Sequence, residues 1–97
     1  MAIRITCINK DGGNHENPHV AISRFGWMNP DNGETGASTL VEMHKWVTNG
    51  GRAYVEDARG NRAYLVAKTS NYGNGYVQTV ADGTPTDNLL RLPECRG

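Results

Sequence analysis

STLVEMHKWVTNGG, residues 38–51, is the stretch whose reading decides the fold. Leu40, Met43 and Val47 fall at helical spacing, flanked by His44 and Trp46. Thr39 and Glu42 fit a capping box, in which each side chain satisfies an orphan amide of the first turn. Asn49-Gly50-Gly51 supplies a left-handed residue to end the helix. Glu42 and Lys45 fall on the solvent side. One helix in a chain otherwise patterned for strands means an α+β domain.

Beyond the helix, RAYVED and NRAYLVAKT read as a hairpin joined by Ala58-Arg59-Gly60, a three-residue loop with glycine in the left-handed position. That register sets Glu56 opposite Arg62, Tyr54 opposite Tyr64 and Arg52 opposite Val66. Ala53, Val55, Ala63, Leu65 and Ala67 take the other face, where small residues let the helix lie close. YVQTVA, residues 76–81, is a further strand after the turn SNYGNG. The tail DGTPTDNLLRLPEC is expected to turn at Asp87-Asn88 and to tuck Leu89, Leu90 and Leu92 against the core.

Before the helix, AIRITCIN (residues 2–9) alternates with period two. The pattern points Ile3, Ile5, Cys7 and Asn9 inward, and Arg4, Thr6 and Ile8 outward. KDGGNHENP, residues 10–18, is a polar loop. HVAISRFGWM, residues 19–28, is a second strand with Val20, Ile22 and Arg24 on one face and Gly26 as a candidate bulge. NPDNGETGA, residues 29–37, is a second loop. The expected order is β-β-α-β-β-β. The expectation is one α+β domain over residues 1–97, with a largely antiparallel sheet, one helix on one face and a packed C-terminal tail.

Composition narrows the function classes. Ninety-seven residues with 37% hydrophobic content build one modest core. Ten basic residues balance ten acidic ones, so no global field draws in nucleic acid or an anionic membrane. The N-terminus lacks a long apolar run of the secretory type. No run approaches the ~20 apolar residues that span a bilayer. The expectation is a cytoplasmic protein with no membrane partner. In a reducing compartment a Cys7–Cys95 disulfide is disfavoured.

I-T-C-I near the start, P-H-V-A-I at 18–22, Y-V-Q-T-V-A-D at 76–82 and D-N-L-L-R-L-P-E-C at 87–95 together resemble a family of short bacterial proteins, domain of unknown function 3892. The resemblance covers nearly the whole chain, and the tail motif is its most specific part. It implies a small bacterial domain and brings no activity, cofactor or catalytic residue. Cys7, His19 and Cys95 all lie within the matching segments.

Four candidate sites stand out. Cys7, His15, His19 and Cys95 offer two thiolates and two imidazoles, a set that suits tetrahedral zinc. Their spacing is not that of a zinc finger, and the site needs the tail to return beside the first strand. The alternative is a small buried Cys7, a solvated His15 and a His19 that opens a strand. Apart from this zinc option, no cofactor is expected.

The second candidate is the hairpin face, where Tyr54 and Tyr64 stand among Arg52, Arg62 and Lys68, with Tyr76 on the next strand. Bases stack on such rings while cations hold phosphates. The alternative is a solvated face stabilised by cross-strand pairs. The third candidate is an enzyme site drawing on His44, Thr79, Asp82 and Asp87. It lacks any nucleophile–base spacing or phosphate loop. In the fourth, the tail turn between Asp82 and Asp87, short polar side chains bond nearby amides, a structural role.

Trp27, beside the 29–37 loop, is a natural protein-contact anchor if exposed. The leading expectation is a non-catalytic binding or accessory module that contacts a protein partner. It would use either the Tyr/Arg face or Trp27 with its loop. Nucleic-acid binding through the same sheet face is the alternative. Metal binding at the Cys/His cluster is the second alternative.

Overall fold

A computed structural model describes residues 2–10, 19–81, 83–86 and 88–95 of the chain. Helix α1 spans Leu40–Thr48 with Thr39 as its N-cap. The Thr39 hydroxyl accepts from the Glu42 amide at 3.2 Å, and the Glu42 carboxylate accepts from the Thr39 amide at 2.8 Å. The Thr39 backbone amide first, and its side chain after it, hold the Glu42 carboxyl below its ordinary range, because hydrogen bonds to the carboxylate favour its ionised form. At the other end Gly50 takes φ +95°. The Gly51 amide donates to the Trp46 carbonyl at 2.8 Å and the Gly50 amide to Val47 at 3.1 Å. This is a Schellman stop, and its left-handed residue is the one the sequence supplied.

Among the described residues seven strands form one sheet: β1 (Ala2–Lys10), β2 (Ile22–Met28), β3 (Thr35–Thr39), β4 (Arg52–Glu56), β5 (Arg62–Thr69), β6 (Gly75–Ala81) and β7 (Thr84–Pro85). Their order is β3-β2-β1-β4-β5-β6-β7. The β1–β4 pair is parallel and every other pair is antiparallel. It follows that β3 runs parallel to β4. Helix α1 is the crossover that carries the chain past β2 and β1, as a parallel connection requires.

The β4–β5 hairpin forms in the expected register, with Tyr54 opposite Tyr64 and Glu56 opposite Arg62. Gly60 has φ +85°. The Asp57 carboxylate closes the turn by accepting from the amides of Asn61 at 2.9 Å and Arg59 at 2.8 Å. Those bonds, the Asn61 amide first, lower its pKa.

Three expectations are corrected. The first concerns β1. Its pairing with β2 shifts between Ile5 and Cys7, so Thr6 is an extra residue opposite Trp27 and Gly26. Beyond this bulge the alternation flips. Ile8 is buried at 2% exposure, while Cys7 is half-exposed on the outer face. Cys7 therefore leaves the buried row and Ile8 joins it.

The second concerns β2, which begins at Ile22, with residues 19–21 in a turn. A second shift, between Asn9 and Lys10, leaves Ser23 unmatched. Ile22 and Phe25, three apart, both become fully buried, and Arg24 is exposed instead of aligned with Ile22.

The third is β3 itself, read from the sequence as loop and helix start. TGAST lacks apolar alternation because its side chains are small or polar and none of them enters the core. The capping box marks the chain from Thr39 onward and says nothing of what precedes it.

Ile3, Ile5, Ile8, Phe25, Val55, Leu65 and Val77 line the buried side of the sheet, with Met43 of α1 above them. A 3-10 turn, Asn88–Arg91, closes one end. Leu89 is fully buried, and Leu90 and Leu92 pack against the core as the tail pattern implies. The turn residues Asp82 and Asp87 lie outside the described residues. Among the described residues no helix is long and apolar enough to cross a membrane.

Candidate functional site

The hairpin face is built as the sequence implies, yet it is closed. Tyr54 is 2% exposed, although it lies on the face opposite the helix. Its ring stands 5.7 Å from that of Tyr64. The Arg62 guanidinium lies 4.3 Å above the Tyr54 ring and that of Arg52 5.1 Å above Tyr64. Glu56 accepts from Arg62 at 3.0 Å and pairs with Arg4 at 3.8 Å. The Tyr64 side chain first, and Glu56 after it, raise the Arg62 pKa. Lys68 donates to Gln78 at 2.9 Å. Tyr76 is buried, its ring 6.1 Å from that of His19. The ring faces that a nucleobase would use are thus occupied by the protein's own cations.

A different aromatic pair is left open. Trp27 of β2 and Trp46 of α1, both half-buried, flank a groove of about 250 Å³. Ile3, Met43, Ser38 and Glu42 complete its lining. Each indole rests where a glycine leaves room. A Cβ on Gly36 would lie 2.9 Å from Trp27 Cη2 and nearer still to Cζ2 and Cε2, and a Cβ on Gly51 would enter the Trp46 ring. Gly36 is the cross-strand partner of Trp27, so the seat is set by sheet register. The Trp27 indole donates to the Ser38 hydroxyl at 3.2 Å, which fixes the ring's polar end.

Beside the groove runs β3, one edge of the sheet. Its residues, Thr35-Gly36-Ala37-Ser38-Thr39, include no charge and no proline, the usual protections of an edge. The opposite edge, β7, is two residues long and contains Pro85. Trp27 was visible as a candidate. Trp46 was assigned only to the helix flank, and Gly36 carried no signal until β3 existed.

The tail does return beside β1. The Ile8 amide donates to Pro93 at 3.0 Å, the Cys95 amide to Ile8 at 3.1 Å, and the Asn9 side chain to the Cys95 carbonyl at 3.3 Å. This brings the Cα atoms of Cys7 and Cys95 to 4.9 Å, and the two sulfurs are joined as a disulfide. The structure thus holds the pair in its oxidised form, where a reducing compartment is expected to favour two thiols. The bulge turns Cys7 outward, and the parallel bridge between Ile8 and Glu94 delivers Cys95 to it.

The proposed zinc set is not assembled. The sulfurs bond to each other, His19 packs on Tyr76, and His15 lies outside the described residues. Among the described residues no three His, Cys, Asp or Glu side chains converge on a metal position. Of the parts considered for catalysis, His44 and Thr79 lie within the described residues and stand apart. His44 Nε2 would lie 3.0 Å from a Cβ on Gly75. Thr79 is four residues along β6, about 13 Å at the rise of a strand. Its hydroxyl shares a 2.7 Å hydrogen bond with that of Thr86.

Fold and surface of the described residues together define a small α+β domain with a mixed seven-stranded sheet, β3 at one edge, and a two-tryptophan groove. The sequence profile of the family described as proteins of unknown function (DUF3892) matches residues 4–93, and the chain belongs to that family. No curated protein and no solved structure matches the chain.

Proposed function

We propose that this chain is a small non-catalytic binding module of a bacterial cytosol. It takes an extended segment of a protein partner along β3 and seats one apolar side chain between Trp27 and Trp46. The observation that carries this reading is the adjacency of an unprotected edge strand and an open groove with tryptophan walls. An edge strand supplies a row of backbone donors and acceptors, and side-chain pockets beside it supply selectivity. Tryptophan in a desolvated pocket is also the residue type that most often dominates contact energy.

The nucleic-acid alternative loses its main support, because Tyr54 is buried and both hairpin rings lie beneath arginines. The metal alternative loses its support because His19 packs on Tyr76 and no three candidate ligands converge among the described residues.

The test is an NMR titration of isotope-labelled protein with a pool of extended, uncharged peptides, each carrying one Leu, Phe or Trp. The expected shifts fall on the Thr35–Thr39 amides and on the indole N–H groups of Trp27 and Trp46. Trp46→Ala should weaken binding about tenfold or more. Shifts confined to the Tyr54–Tyr64 hairpin, or none at millimolar peptide, would remove this reading. Single-stranded oligonucleotides in the same titration check the alternative.

A further inference from the structure

We propose that the Cys7–Cys95 disulfide is a thiol-exchange site, with small cellular monothiols as its reactants, and that the bond latches the tail onto β1. The inference is independent of the docking reading.

Its first support is access. Both sulfur-bearing residues are half-exposed and line an open trough of about 280 Å³ with Arg24, Gly26 and Ala37. The disulfide can rest against β2 at the floor of the trough because residue 26 is glycine. A Cβ there would lie 2.9 Å from Cys95 Sγ and would overlap Cys7 Sγ. Ala37, the cross-strand partner of Gly26, keeps the far wall low.

Its second support is charge. Arg24 lies two residues from Gly26 on the same exposed face of β2. A guanidinium at that wall attracts an incoming thiolate and stabilises the thiolate that leaves.

The third is the way the tail is held. Cysteines 88 residues apart are joined, yet the tail also docks through the Ile8 and Cys95 amides and through buried Leu89. Opening the bond therefore removes one constraint on the tail while the core, lined by Leu65 and Val77, stays packed.

The chemistry balances with a monothiol as reductant. Its thiolate forms a bond to one sulfur of the pair, and the electron pair of the broken S–S bond leaves on the other. A second thiolate attacks the mixed disulfide and leaves with its partner as an external disulfide. Two external thiols are oxidised, and Cys7 and Cys95 take up the two protons as thiols. In a reducing cytosol the pair then rests open and closes when the glutathione pool is oxidised.

The experiment treats the native full-length chain with reduced glutathione in the absence of denaturant and follows the mixed disulfide by mass spectrometry. The expected rate is proportional to thiol concentration, and Arg24→Gln slows it about threefold or more. A rate that does not depend on thiol concentration would show that the bond opens only on global unfolding, and would overturn the proposal. An unchanged rate in Arg24→Gln would overturn the role of that residue.

Should the isolated chain carry two free thiols, oxidised glutathione is expected to close the bond, and failure to close it counts against the proposal. Hydrogen exchange provides the second readout. Reduction, or Cys95→Ser, should expose the Ile8 and Cys95-position amides to exchange while Leu65 and Val77 stay protected. Equal loss of protection at all four would replace a latch with a general structural crosslink.

Discussion

Two aromatic clusters in this sheet use similar parts to opposite effect. At the β4–β5 hairpin, Tyr54 and Tyr64 face each other across the strands and each ring is covered by an arginine. At the β3 edge, Trp27 and Trp46 rest over glycines and leave a groove between them. An aromatic residue in a solvent-facing position of a pattern is thus not yet a binding surface. Its availability depends on what covers the ring. An arginine on a neighbouring strand covers a ring from above, whereas a glycine beneath it seats one side and leaves the other side free.

The sharpest way to break this comparison is to truncate one member of each cluster. Tyr54→Ala should cost about 3 kcal/mol of stability in urea denaturation, because it empties a fully enclosed aromatic position. Trp46→Ala should cost about half that, because its ring is only half-buried. Equal losses would mean that the two clusters are equally structural.

A smaller effect is expected at the helix end beside the groove. Thr39→Ala should cost about 1 kcal/mol through loss of the N-cap. It should also weaken peptide binding, because the amide of Glu42, a residue of the groove wall, loses the Thr39 hydroxyl that anchors the first turn. Stability loss with intact binding would place the groove's integrity elsewhere.

Below that in size comes the cation–ring contact. A double-mutant cycle between Arg62→Ala and Tyr54→Leu should show positive coupling smaller than the cap contribution, while an Arg24–Tyr54 cycle should show none.

The smallest expected effect is the pH dependence at Glu42. Its folded pKa is lowered from 4.5, so the unfolded chain binds the proton more tightly. The contribution is complete above the unfolded value and is lost as pH falls through the lower folded one. The stability difference between wild type and Glu42→Gln should therefore shrink in acid.

Much of this fold was legible because its signals are local. The capping box spans four residues and the helix stop another three. The 58–60 loop fixes the pairing of Tyr54 with Tyr64 without reference to the rest of the chain. Leucines 89, 90 and 92 announced a packed tail through apolarity alone. The candidate site was less legible. Tyr54 was placed on the correct face, but a strand pattern says nothing of whether an arginine lies over it. Trp46 was read for its helical position, since the groove it lines depends on β2 and on Ile3 as well.

By itself, the sequence determined the class: one helix with defined ends, a hairpin in register, strands around them and an apolar tail. These follow from hydrogen-bond satisfaction and side-chain periodicity within a few residues. Only the tertiary structure decided that β1 is bulged, that β3 is a strand at an open edge, and that Cys7 meets Cys95. The physical reason is common to all three. Each depends on pairing between segments separated by up to 88 residues, and a bulge of one residue reverses which side of a strand faces the core. Alternation along β1 cannot reveal the flip, because Ile8 and Cys7 are both acceptable inward residues. The choice between them is made by the strands on either side.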